Sequence, residues 1–186
     1  LDINILIYKY INIYICKIKK NNMKYYIFDL DNTLYKLNEN MKIVNTIDVT
    51  LLNKLKTQGT IIMFSNATYS HCAYWCSILN IKEYFPTIIS ADNLQHTKPN
   101  PLSYEKVIEL SDIKNTDTVY FFDDIPINLY SASKYNWNTY LINKDNNMKD
   151  YIENQKITEH TESNCNLIQF DNINTCIESM LNLNNE

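Results

Sequence analysis

The chain alternates between short, almost wholly apolar runs and longer stretches with helical periodicity. Lys24–Phe28, Thr60–Phe64 and Thr118–Phe122 are apolar runs of strand length. Val44–Lys56, Tyr69–Leu79, Pro101–Leu110 and Pro126–Tyr135 read as helices, the first stopped by Gly59 and the third opened by a proline suited to a first turn. Thr87–Ser90 and Thr139–Ile142 read as shorter strands. Near the C-terminus, Leu167–Phe170 reads as an edge strand, Asn172–Leu181 as a closing helix, and the polar stretch Asn143–Asn166 as loop with one helix. Strands with no polar face need cover on both sides, and helices between them supply it. The expected fold is therefore α/β: a three-layer, Rossmann-like parallel sheet with helices on both faces. Ligands in such sheets bind at the carboxyl ends of the strands.

Those ends carry the unusual residues. The first strand runs into Asp29 and Asp31, the second into Ser65 and Asn66, and the third into Asp123 and Asp124. Two carboxylates ending a buried strand repel each other, and burial sharpens the cost, unless a cation or phosphate chemistry uses them. Each piece alone has a plainer explanation. Asp31-Asn32-Thr33 could form a turn, Ser65-Asn66 could cap the following helix, and Lys98 before Pro99 could be a solvated lysine. An acidic pair after Val-Tyr-Phe-Phe is harder to dismiss, because it is the oxygen-rich site a hard cation takes.

Composition narrows the partners. A chain of 186 residues with 45% hydrophobic content fits one domain with a proper core. Its net charge is −4, and without a basic tract a nucleic-acid partner is not expected. All 17 basic residues are lysines, so any phosphate must be held by lysine, hydroxyls, backbone amides or metal rather than by a guanidinium fork. The five cysteines are scattered, with no Cys-x-x-Cys pair; Cys72 and Cys76 share a helix face as apolar thiols, which suits a reduced, cytoplasmic setting. Residues 1–22 are too interrupted by Lys9 and Asn12 for a membrane span and are built unlike a secretory signal. We read them as an extension outside the core, with Met23 as the natural start and 23–186 as a single domain.

Four segments in order carry a resemblance: Phe28-Asp29-Leu30-Asp31-Asn32-Thr33-Leu34-Tyr35, Ser65-Asn66, Thr97-Lys98-Pro99-Asn100-Pro101 with Tyr104, and Phe122-Asp123-Asp124-Ile125-Pro126 with Asn128 and Ala132. Together they resemble the motifs of the haloacid dehalogenase-like (HAD) hydrolases, and the first is similar in spelling to pyrimidine 5′-nucleotidase-type phosphatases. The resemblance covers residues 23–142. It implies a Mg²⁺-dependent phosphomonoester hydrolase in which Asp29 is the nucleophile and forms an aspartyl-phosphate. Asp31 would be the acid and base, Lys98 the residue that fixes Asp29 and offsets developing charge, and Thr33, Ser65, Asn66 and Lys98 the phosphate contacts. Asp29, Asp31 through its backbone carbonyl, Asp123 and Asp124 would hold the magnesium. An acid at Asp31 favours phosphate chemistry, since a departing halide needs no proton.

The family's cap domains enter between the first two motifs or between the second and third. Here 31 residues separate Thr33 from Ser65, and 32 separate Ser65 from Lys98. Each interval must also build core elements. We therefore expect little or no cap, with a small flap over Leu34–Ile43 and an open site. Such a site suits a phosphoprotein, or a phosphorylated small molecule enclosed by a second copy in a homo-oligomer. A catalytically silent binding protein and a phosphomutase are the alternatives.

Overall fold

The computed structural model describes residues 22–142 and 168–183. Six parallel strands form one sheet: β1 (Lys24–Phe28), β4 (Thr60–Phe64), β5 (Thr87–Ile89), β6 (Thr118–Asp123), β7 (Asn138–Ile142) and β8 (Ile168–Phe170). Their order is β5-β4-β1-β6-β7-β8, which puts β1 between β4 and β6. The chain leaves β1 for β4 on one side and returns to β6 on the other. The crevice at the carboxyl end of β1 is thus the switch point where ligands bind in such sheets.

Apolar runs explain the layers. Along β1, Tyr26 and Phe28 enter one core and Tyr25 and Ile27 the other. The first core is covered by α1 (Val49–Lys56), α2 (Tyr69–Ile78) and α5 (Ile173–Leu183) through Leu51, Leu52, Leu55, Cys72, Cys76, Cys176 and Ile177. The second is covered by α3 (Pro101–Ser111) and α4 (Pro126–Ser133) through Tyr104, Val107, Leu129 and Ala132. This is the expected three-layer α/β architecture.

Two sequence readings are corrected. The expected helix over Val44–Lys56 begins only at Val49. Ile43–Thr46 is instead β3, paired antiparallel with β2 (Tyr35–Leu37). Ile43, Val44 and Thr46 are β-branched and favour the strand, and Asp48 caps the shortened helix by accepting from the Thr50 amide at 2.7 Å. Asn174 on α5 clamps the hairpin base, donating to the Thr46 carbonyl at 2.9 Å and accepting from the Asp48 amide at 2.8 Å. Gly59 does not supply a left-handed cap either; the helix ends at Thr57 in right-handed geometry. Glycine is needed because a Cβ at position 59 would lie 2.2 Å from the Lys24 carbonyl oxygen, where β4 starts beside β1.

The remaining boundaries agree within two residues, with Asn172 capping α5 through the Asn174 and Thr175 amides. The readings of residues 1–21 and 143–167 lie outside the described residues. Between Asp29 and Asp124 the only insertion is the β2–β3 hairpin, where a flap was expected. Among the described residues no helix is long and apolar enough to cross a membrane.

Candidate active site

The ends of β1, β4 and β6 converge on one buried ammonium. Lys98 Nζ, its side chain 1% exposed, donates to Asp29 Oδ1 at 2.8 Å, to Asp123 Oδ2 at 2.7 Å and to the Phe64 carbonyl at 2.8 Å. An ammonium has three protons, so these bonds use its full donor capacity. The Phe64 and Phe121 rings flank the same nitrogen. Burial alone would lower the Lys98 pKa, but Asp123 and Asp29 outweigh it and hold it raised. The Lys98 backbone is fixed as well. Its amide donates to Asn66 Oδ1 and its carbonyl accepts from Asn66 Nδ2, both at 2.9 Å.

Asp29 is buried, with Oδ2 accepting from the Thr33 hydroxyl at 3.3 Å. Burial pushes its pKa up to about 7, against Lys98, with Asp123 adding to the rise. Asp124 behaves alike: burial first, then Asp123, raise it to about 6. Three acidic groups, Asp29, Asp123 and Asp124, thus stand around one ammonium, and what the cluster lacks is positive charge. Asp123 is met by three donor groups. It accepts from Lys98, from both approaches of Asn128 Nδ2 at 3.0 and 3.1 Å, and from the Ile125 amide at 2.8 Å. One of its oxygens thus holds Lys98.

Ser65 Oγ accepts from the Ala67 amide at 3.1 Å. Asp31 is set apart from this cluster. Its side chain is 41% exposed; it accepts from the Tyr35 hydroxyl and is hydrogen-bonded to His71 Nε2, at 2.8 Å to Oδ1 and 3.1 Å to Oδ2. The structure therefore brings Asp29, Thr33, Lys98, Asn66, Asp123 and Ser65 into one neighbourhood, and gives Asp31 separate partners.

Sequence reasoning missed His71. The available signal was its place on the helix that follows Ser65-Asn66, three residues after the capping Thr68. Four aromatic side chains, Tyr35, Tyr69, Tyr74 and Trp75, stand on the hairpin and on α2. Tyr35 is buried, bonded to Asp31 and stacked on Trp75, whereas Tyr69 and Tyr74 are exposed.

Residues 37–142 match the family described as haloacid dehalogenase-like hydrolase, and the chain belongs to that family. Among solved structures, it resembles a HAD-superfamily hydrolase from Ehrlichia chaffeensis at 17% identity and TM-score 0.55, over 82% of this chain and 63% of that one. A protein proposed to be a β-phosphoglucomutase from Thermotoga maritima matches at 12% identity and TM-score 0.63, over 87% of this chain and 100% of that one. A HAD family enzyme from Bacteroides thetaiotaomicron, an aspartate-to-alanine mutant in complex with magnesium and inorganic phosphate, matches at 16% identity and TM-score 0.55, over 70% and 99%. A dehalogenase shares the fold too, at 17% identity and TM-score 0.57. No curated protein matches significantly.

Proposed function

We propose that this chain is a Mg²⁺-dependent phosphomonoester hydrolase working through Asp29. The observation that carries the reading is the pinning of Asp29 beside a second acid, Asp31, that is kept out of the ammonium cluster. Asp29 Oδ attacks phosphorus and the ester P–O bond breaks. The departing oxygen takes a proton from the Asp31 carboxyl. Water then attacks the phosphorus of the aspartyl-phosphate and gives its proton to Asp31, and the Asp29–phosphate bond breaks. Lys98 keeps Asp29 in one orientation for attack. Ser65 and the Asn66 backbone amide contact phosphoryl oxygens.

The donor set fits a hard cation. Its candidate ligands are all oxygens, and the carboxylates outnumber the single lysine. Among the described residues no three acidic, histidine or cysteine side chains form a ready-made metal cluster. Mg²⁺ keeps several waters and takes few protein ligands, so none is required. We assign its protein ligands to Asp29, the Asp31 backbone carbonyl and Asp123, with Asp124 bound directly or through a water. Bound there, it would cancel the repulsion between the Asp29 carboxylate and a phosphate.

The lack of an inserted cap supports an accessible site, for a phosphoprotein or for a small phosphoester covered by a second copy. Cys72, Cys76 and Cys176 are free buried thiols, which supports a reducing, cytoplasmic setting. Phosphate release from a phosphomonoester panel, with and without Mg²⁺, tests the reading. Asp29→Asn should lower release at least about a thousandfold. A folded, Mg²⁺-binding wild type that releases nothing would leave the chain a binding protein. Phosphate moved within one sugar phosphate, with little set free, would make it a mutase.

A further inference from the structure

We propose that His71 is a positioning residue for the proton-transfer step, holding Asp31 at the leaving group together with Tyr35. The inference rests on the reading of Asp31 as acid and base. His71 Nε2 pairs with the Asp31 carboxyl in either state, donating when Asp31 is ionised and accepting, in the other tautomer, when Asp31 carries the proton. That nitrogen spans both Asp31 oxygens, at 2.8 and 3.1 Å, while the Tyr35 hydroxyl donates to Oδ1 as well. A half-exposed aspartate is thereby restrained by two side chains.

Both restraints trace to α2. His71 is its third residue, and Trp75 lies one turn further on the same side. The Tyr35 ring stacks on Trp75 with centroids 4.0 Å apart and planes 22° from parallel. The helix is itself anchored. Cys72 and Cys76 are fully buried on its core face, and the Tyr69 amide donates to Asp92 at 2.6 Å. A rigid helix end therefore places the imidazole directly, and places the tyrosine through an aromatic contact. No inserted cap is present between Asp29 and Asp124 to order the acid from above. The helix and the hairpin do so from the side.

This role differs from that of Lys98, which acts on the nucleophile. Positioning the acid matters most when the leaving oxygen is strongly basic. An alkyl phosphate needs the proton as its P–O bond breaks, whereas a nitrophenyl phosphate scarcely does. The test is kcat/KM for one alkyl and one nitrophenyl phosphate, because this ratio reports the step that forms the aspartyl-phosphate and expels the alcohol. His71→Ala should lower kcat/KM for the alkyl ester about thirtyfold and for the nitrophenyl ester no more than about threefold, with KM little changed. His71→Gln keeps an N–H at the same reach and should recover most of the alkyl activity.

Equal losses on both esters, or no loss on either, would overturn the assignment, as would failure of the glutamine variant to rescue while its melting temperature matches wild type. If His71→Ala does not fold, the glutamine variant against His71→Leu carries the same comparison. Wild type inactive on every ester would sink the phosphatase reading and this inference with it. Wild type active and Asp29→Asn dead, with no leaving-group effect at His71, would sink this inference alone.

Discussion

The two acids at the end of β1 live in opposite surroundings. Asp29 is buried against an ammonium whose three donors are all committed, and every group around it is held by something else. Asp31 is 41% exposed and meets a histidine and a tyrosine from elements outside the sheet. One site is prepaid in folding, with its geometry set by strand register. The other is restrained by two side chains at a partly exposed surface. A nucleophile profits from the first arrangement, because its line of attack must not wander. A group that both gives and takes a proton profits from the second, because it serves two different oxygens in turn.

Breaking the rigid half should do the most damage. Lys98→Met leaves Asp29 and Asp123 buried without their counter-charge, and we expect a loss of about 3–5 kcal/mol in denaturant unfolding together with activity. A loss under about 1 kcal/mol would show the cluster to be far better hydrated than its burial implies.

The same half should respond to pH. Asp29 and Asp124 hold their protons more tightly when folded than when unfolded, with pKa values raised to about 7 and about 6. Their contribution to stability is therefore full below the ordinary carboxylate range and is lost as pH rises through about 6 to about 7. In EDTA, the melting temperature should fall between pH 5 and pH 8, and the slope should flatten in Asp29→Asn. Added Mg²⁺ should stabilise increasingly across that window, since it competes with those protons. A metal-free protein whose melting temperature climbs over this range contradicts the scheme.

The smallest effect belongs to the exposed half. Tyr35→Phe removes one of the two restraints on Asp31 but keeps the stack on Trp75. We expect about a threefold loss on alkyl phosphates and a stability change near 1 kcal/mol, read by steady-state kinetics and thermal melts. A hundredfold loss would make Tyr35 a participant in the chemistry rather than a support.

The same division governed what could be read from the sequence. Asp29, Asp123 and Ser65 stand at the ends of apolar runs, where local pattern alone signals that something other than packing is at work. Lys98 was legible through the Lys-Pro-Asn-Pro segment around it. His71 was not, because its contact with Asp31 crosses forty residues of chain and depends on how α2 is turned about its axis. The hairpin was half legible. Val44, Ile47, Leu51 and Leu55 do keep helical spacing, and only the β-branched trio with a capping aspartate behind it argued for a strand. The reason for Gly59 lay wholly in tertiary contact, since nothing local announces the approach of Lys24.

The three bonds of Lys98 also tie the site's existence to the completion of the sheet. They join the ends of β1, β4 and β6 through a lysine from a fourth segment, so no pair of these strands can assemble the site alone. On the proposed reading, Asp29 stays inert until Asp123, nearly a hundred residues later in the chain, has docked. Partly folded molecules should then be chemically silent, and the appearance of activity during refolding should coincide with burial of the last central strand.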